Sequence, residues 1–151
     1  MKIISGGQTG ADRAALDFAI DRGFDYGGRI PKKRLAEDGV ISNSYSSLTE
    51  TDSPDYAVRT RLNVLESDGT LIVSHGRLTG GTLLTKELAM AERKPFVCID
   101  FIKLNFSEAA TEIITWLNAN SIKTLNVAGS RASGDPNIYP ATYELLTKVF
   151  D

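Results

Sequence analysis

Short apolar runs alternate along the chain with segments whose apolar residues recur at helical spacing. Such runs predict buried strands over residues 2–5, 70–74, 96–100 and 124–129, of which 70–74 is continuously apolar, and a weaker run predicts another over 26–31. Helical patterns occupy residues 11–23, 53–69, 82–95, 107–120 and 137–150. Strands that alternate with helices and are apolar on both faces are typical of a parallel sheet covered by helices.

This pattern predicts an α/β fold with a doubly wound, mostly parallel sheet of about five strands and helices on both faces. With 151 residues, of which 42% are hydrophobic and 24% charged, the chain has the size and composition of one ordinary globular domain. We therefore predict a single Rossmann-like ligand-binding domain over residues 1–151.

Local signals place the ends of two helices and one long loop. Gly23 is expected to end the first helix, whose predicted inner positions are Leu16, Phe18, Ala19 and Ile20. Ser53 is the predicted N-cap of the second helix, with Pro54 at its first turn and Gly69 as its stop. Residues 32–52 show no clean period and are predicted to form a long loop.

Charge and residue usage exclude several classes of function. Seventeen basic and nineteen acidic residues give a net charge of -2, which does not favour nucleic acid or an anionic membrane as a partner. No apolar run reaches the roughly 18 residues of a membrane span, and the first five residues are too short for a secretory signal, so we expect a cytoplasmic protein. The chain has one cysteine, Cys98, and one histidine, His75, which are too few for a zinc-binding Cys/His cluster. Cys98 is predicted to be a core thiol.

Glycine-rich loops follow three of the predicted strands, at residues 5–10, 74–82 and 128–134. In a doubly wound sheet such loops lie at the carboxyl edge, where ligands bind. A glycine turn that enters a helix presents backbone N–H groups suited to a phosphate. The first loop offers Gly6, Gly7 and Gly10 for close approach, with Gln8 and Thr9 as donors, and residues 79–82 repeat the arrangement.

Neither loop matches a standard nucleotide motif. The first departs from G-x-G-x-x-G, and the second lacks the spacing of a P-loop, so ATP hydrolysis by that route has no support. A glycine turn can also serve only to pack a strand tightly against a helix, and that structural interpretation stays open for each loop.

Five ordered blocks resemble the molybdenum carrier family, bacterial relatives of the molybdenum cofactor carrier proteins. They are SGGQTGADRAALD, IPKKRLAEDGVI, RTRLNVLESDGTLIV, LTGGTLLT and NVAGSR, and they span nearly the whole chain. This family is part of a Rossmann-like superfamily with the lysine decarboxylase-like phosphoribohydrolases and DNA-processing protein A.

The resemblance implies a pocket for a small phosphorylated ligand, either the pterin-based molybdenum cofactor (molybdopterin) or a nucleotide. It also implies a homo-oligomer. The positions expected to bind the ligand, none of them a metal ligand, are Gly6, Gly7, Gln8, Thr9, Gly10, Arg13, Thr79, Gly80, Gly81, Thr82, Ser130 and Arg131.

Two other functions remain open, a nucleotide-processing hydrolase and a nucleotide sensor. The phosphoribohydrolases carry P-G-G-x-G-T-x-x-E, and Glu87 falls at the acidic position, where it would act with Arg131 or Arg13. Thr79 replaces the proline, however, and Leu83 and Leu84 replace the later Gly-Thr. Gly80 and Gly81, which could grip an anion, are present, whereas the rest of the hydrolase motif is not. This combination favours binding over hydrolysis.

Several further side chains are candidates for ligand contact, and each also has a structural or surface role as an alternative. Arg59 and Asn63 share a helical face and are expected at the ligand, at a neighbouring subunit or as a surface pair. The charged run over residues 31–39 is either solvated or in contact with the ligand. Tyr45 is expected to stack on the ligand, with residues 32–52 covering its ring system, whereas His75 is expected to be structural.

Overall fold

The computed structural model describes residues 1–151 and contains eight strands and five helices. The strands are β1 (Lys2–Ile4), β2 (Asp25–Ile30), β3 (Leu35–Ala36), β4 (Gly39–Val40), β5 (Leu48–Glu50), β6 (Gly69–Ser74), β7 (Phe96–Asp100) and β8 (Thr124–Gly129). The helices are α1 (Ala11–Arg22), α2 (Tyr56–Glu66), α3 (Gly80–Ala91), α4 (Phe106–Ala119) and α5 (Ile138–Phe150). A short 3-10 turn over Lys32–Arg34 precedes β3.

Six strands form one parallel sheet in the order β5-β2-β1-β8-β6-β7, which confirms the predicted doubly wound α/β fold. The sheet has one strand more than the sequence predicted. That strand, β5, pairs with β2 through Gly28 and Leu48, inside the segment predicted to be a loop. The same segment also contains the antiparallel hairpin β3–β4, so the prediction of a loop over 32–52 was wrong.

The helices form two packed groups that cover the sheet. Helix α5 packs against α1 and α4, while α2 packs against α3. A main core of twenty buried residues includes Ile3, Phe18, Leu71 and Val127. The predicted inner face of α1 is confirmed except at Ile20, which is 43% exposed because it lies on the outer side of the helix.

Helix α2 begins later than predicted, because Asp55 rather than Ser53 is its N-cap. The Asp55 carboxylate accepts a hydrogen bond from the Ala57 N–H at 2.9 Å, which satisfies a free donor of the first turn. Ser53 lies upstream, where its carbonyl accepts from the Lys32 N–H. Gly69 does not stop the helix either: it opens β6, where an added Cβ would meet the Trp116 ring at 2.8 Å.

The topology creates a crevice at the carboxyl edge of the sheet. Strand β8 lies between β1 and β6, and the loops after β1 and β6 lead into α1 and α3, which belong to different helix groups. In open parallel sheets such a divergence leaves room for a ligand outside the strand ends. No helix of the chain combines the length and the apolar character needed to cross a membrane.

Candidate ligand-binding site

A cavity of about 380 Å³ lies in this crevice, at the carboxyl ends of β1, β6 and β8. Its volume is at the low end of the roughly 300–1,000 Å³ typical of small-molecule sites. Only three of its nineteen lining residues are hydrophobic. The predicted site residues that line it are Gly6, Gln8, Thr79, Gly80, Gly81, Thr82, Ser130 and Arg131.

Arg59 of α2 lines the cavity, and one of its buried donor atoms has no hydrogen-bond acceptor. It is 8% exposed, and its Nη1 atom is buried without a hydrogen-bond partner, while its Nε donates to the Thr60 hydroxyl at 3.2 Å. Burial lowers the pKa of Arg59, and the nearby Asp12 carboxylate opposes that shift. A buried guanidinium with an unused donor is costly unless an anion reaches it.

Gln8 also lines the cavity and has a second buried donor without a partner. Its side-chain oxygen accepts hydrogen bonds from the N–H groups of Thr9, at 3.1 Å, and Glu37, at 2.9 Å. These two bonds fix the orientation of the amide, because only the oxygen can accept them. The Nε2 atom is then left buried with no partner.

The second glycine loop opens directly onto the cavity. Thr79 is the N-cap of α3, and the Thr82 hydroxyl donates to the Thr79 carbonyl at 2.6 Å. The N–H groups of Gly80 and Gly81 have no acceptor within the protein. A Cβ added at either glycine would meet no atom within 4 Å, so this helix N-terminus faces free space that suits an anion.

The first glycine loop is closed by its own side chains. The Gln8 N–H donates to the Asp12 carboxylate at 3.2 Å, and the Gly7 N–H donates to the Ser5 hydroxyl at 3.3 Å. Asp12 is 7% exposed, and burial raises its pKa to about 6 against the opposing effects of Arg59 and the Gln8 N–H. Asp12 is not among the site residues predicted from the sequence, although a short acidic side chain in a first helical turn is a common partner for such N–H groups.

Glycines of the first loop are explained by close packing within the protein. A Cβ at Gly6 would lie 2.6 Å from Nε of Arg59, and a Cβ at Gly10 would lie 2.3 Å from the Ser130 carbonyl oxygen. Gly10 also has a φ of +83°, a conformation that other residues rarely adopt. Thus the structural interpretation left open for this loop accounts for both positions.

Four predicted site residues lie outside the cavity lining: Gly7, Thr9, Gly10 and Arg13. Thr9 donates to Glu37 and accepts from the Ala132 N–H. Arg13 donates to the Gly7 carbonyl and forms a bidentate ion pair with the Asp38 carboxylate. Their polar groups therefore tie the hairpin β3–β4 and the loop after β8 to the first loop.

Arg131 reaches the rim of the cavity beside Tyr56, a lining residue that the sequence analysis missed. Its guanidinium carbon lies 5.9 Å from the centre of the Tyr56 ring, and that of Arg59 lies 5.0 Å from the same ring. The Arg131 side chain is 45% exposed and 3.9 Å from Glu37, whose carboxylate also accepts from Ser133. Arg131 is therefore a partly exposed cation at the rim of the cavity, and its guanidinium is near the Tyr56 ring and, at 3.9 Å, the Glu37 carboxylate.

Asn63 lines the cavity, but its side chain is committed to the sheet. Its Oδ1 accepts from the Arg29 N–H at 2.7 Å, and its Nδ2 donates to the Arg29 carbonyl at 3.0 Å. Two hydrogen bonds to one residue of β2 fix helix α2 against the sheet. Asn63 thus positions the helix that carries Arg59.

The segment over residues 32–52 does not line the cavity, so the prediction that it covers the ligand was wrong. The Tyr45 hydroxyl donates to Asp17 of α1 at 2.6 Å, away from the cavity, and Arg34 donates to the carbonyls of Ile41, Ser42 and Tyr45. Lys32 and Lys33 are exposed. Because β5 pairs with β2, the segment is held at the outer edge of the sheet.

Other candidate residues also lie apart from the cavity. Glu87 is exposed on α3 and is absent from the lining. His75 pairs with Asp135 at 2.6 Å and contacts the Phe101 ring, a partner that sequence reasoning could not see. Burial raises the pKa of the half-buried Cys98 thiol. No cluster of three or more His, Cys, Asp and Glu side chains that could hold a metal ion occurs in the structure.

Comparison with known proteins gives the family. The family model for the circularly permutated YpsA SLOG family matches residues 3–150. A crystal structure of a protein from Syntrophus aciditrophicus, named a putative molybdenum carrier protein, is 52% identical, with a TM-score of 0.98 over 99% of this chain and 94% of the other. No significantly similar sequence was found among curated proteins. These matches confirm the resemblance seen in the sequence, and the chain belongs to the circularly permutated YpsA SLOG family.

Proposed function

We propose that this protein binds and carries the molybdenum cofactor, holding its phosphate in the crevice between the second glycine loop and α2. The observation that carries the proposal is the buried Arg59, whose Nη1 has no partner and which lines a cavity bordered by the free N–H groups of Gly80 and Gly81. The 52% identity to a protein named as a carrier of molybdenum supports the choice of cargo.

The donor set of the cavity fits a phosphorylated ring compound. Arg59, the Gln8 amide and the N-terminus of α3 provide a cation, a neutral donor and aligned backbone N–H groups for one phosphate. Tyr56 gives the cavity an aromatic wall, and Arg131 stands at its entrance. The metal would enter already bound within the cofactor, because the protein supplies no cluster of metal ligands.

Purification from the natural host tests the proposal directly. Native mass spectrometry of the protein, before and after denaturation, should detect a bound pterin, and metal analysis of the same sample should detect molybdenum. Retention of a nucleotide in place of the pterin would contradict the proposed cargo.

Two arginines on one helix provide a matched pair of variants. Arg59→Ala removes the buried cation, and we expect it to lower the bound cofactor by more than about tenfold, as expected for loss of a charge-assisted pair. Arg61→Ala removes an exposed arginine of α2 that pairs with Glu92, and it should leave loading unchanged. Equal loading of both variants would contradict the role of Arg59.

The two other functions are tested with a nucleotide. A nucleotide-processing hydrolase would release free base from a nucleoside monophosphate and lose that activity in Glu87→Gln. A sensor would retain the nucleotide unchanged. We expect neither result. We also propose that the carrier self-associates, and light scattering after size-exclusion chromatography would show a mass above 16.4 kDa.

A further inference from the structure

We infer that the Asp12 carboxylate occupies the anion position of the first glycine loop, so that the cavity accepts a ligand with one phosphoryl group in preference to a diphosphate. This inference rests on the proposed function only in placing a phosphate at the second loop. It concerns the class of ligand that the same site selects.

Three N–H groups of the first loop, those of Gly7, Gln8 and Thr9, already donate within the protein, whereas those of Gly6 and Gly10 have no protein acceptor. Asp12 accepts from Gln8, the Ser5 hydroxyl accepts from Gly7, and the Gln8 side chain accepts from Thr9. The Ala11 N–H, at the start of α1, donates to the Ser130 carbonyl at 3.2 Å. A phosphate would have to displace protein groups from these donors before it could bind there.

Asp12 also repels any second anion electrostatically. Its carboxylate is buried beside the cavity that it lines, and two like charges a few ångströms apart interact strongly where water is excluded. The other carboxylate near the site, Glu37, faces the exposed Arg131 at the rim. A second phosphoryl group would therefore meet a fixed negative charge on the side of the first loop.

The second loop differs from the first because no acidic residue lies in the first turn of its helix, and its Gly80 and Gly81 N–H groups have no protein acceptor. Arg59 and Gln8, each with one buried donor atom that has no partner, line the same cavity. The two loops are thus unequal, because a buried carboxylate accepts from the first loop and no acidic residue lies in the first helical turn after the second. A phosphoryl group can therefore reach the donors of the second loop without displacing a carboxylate of the chain.

Calorimetric titration with inorganic phosphate and with pyrophosphate at pH 7.5 tests the inference without any cofactor. For the wild-type protein we expect phosphate to bind more tightly than pyrophosphate. Asp12→Ala frees the Gln8 N–H and removes the charge, and pyrophosphate should then bind about tenfold more tightly relative to phosphate. Asp12→Asn, which keeps one acceptor oxygen, should give a smaller change in the same direction.

Glu112→Ala is the matched control, because it removes an exposed carboxylate from α4, which does not contribute to the cavity. It should leave the ratio of the two dissociation constants unchanged. The inference is overturned if wild-type protein binds pyrophosphate as tightly as phosphate or more tightly, or if neither Asp12 variant changes the ratio. Failure of wild-type protein to bind either anion would overturn it as well.

These outcomes are separable from failure of the proposed function. Protein that carries pterin and molybdenum from its host but prefers pyrophosphate contradicts the inference alone. Protein that shows the expected ratio and its change in the Asp12 variants, but contains no pterin, contradicts the choice of cargo alone.

Discussion

Replacement of Asp12 by asparagine should stabilise the ligand-free protein, and the gain should depend on pH. Burial raises the pKa of Asp12 from its ordinary value of 3.8 to about 6 in the folded protein. The folded state therefore holds this proton more tightly than the unfolded chain does. Asp12→Asn removes the titrating group while keeping a side chain of nearly the same shape.

The magnitude and the pH window follow from that difference in pKa. Each pH unit between the two pKa values is worth about 1.4 kcal/mol, so a rise from 3.8 to about 6 corresponds to about 3 kcal/mol. Below pH 3.8 Asp12 is protonated in both states, and it imposes no ionisation penalty. Between pH 3.8 and about 6 the unfolded chain releases the proton first, so stability falls as pH rises. Above pH 6 the full penalty is present.

Urea unfolding of the wild-type and Asp12→Asn proteins at a series of pH values from 4 to 7.5 measures this effect. The difference between the two free energies of unfolding cancels the groups that titrate in both proteins, and any packing effect of the asparagine is a constant offset. We expect the variant to gain about 2–3 kcal/mol relative to wild type as pH rises from 4 to 7. A difference that is independent of pH, or that changes in the opposite direction, would refute the reasoning.

Three other expectations follow from single contacts. Gly10→Ala should destabilise the protein by on the order of 3 kcal/mol in urea unfolding, because its Cβ would lie 2.3 Å from a carbonyl oxygen. Gly81→Ala has open space around its Cβ, so it should change stability by less than about 1 kcal/mol but weaken cofactor loading. Asp55→Ala should cost about 1 kcal/mol by loss of the N-cap, and an equal cost for Ser53→Ala would contradict the observed helix start. The Cys98 thiol, whose pKa burial raises, should react with Ellman's reagent much more slowly in native protein than in urea, and equal rates would show it to be accessible.

The main strands and helices could be predicted because their signals are local. The strands β7 and β8 match their predicted ranges, since each is a short, mostly apolar segment. Strand β5 could not be predicted in this way: it has three residues, two of them exposed, and exists only through its pairing with β2. Capping at α2 was equally ambiguous, because both Ser53 and Asp55 are good N-cap residues, and only the hydrogen bond to Ala57 distinguishes them.

For the candidate site, the sequence indicated the edge of the sheet but not the roles of the loops. Glycine spacing is the same whether a loop packs against protein or binds a phosphate. At Gly10 the neighbour is the Ser130 carbonyl, whereas at Gly81 there is open space. Those neighbours come from distant parts of the chain, so their presence or absence cannot be inferred from the local sequence.

The sequence by itself determined the α/β class, the parallel sheet and the family, because periodicity and ordered motifs are properties of the chain alone. Tertiary structure decided which donors remain free for a ligand. It placed Asp12 against the first loop, left Nη1 of Arg59 and the first N–H groups of α3 without partners, and held the segment over residues 32–52 outside the cavity. Whether a polar group is satisfied depends on atoms brought together only by folding, and this physical fact separates the two kinds of information.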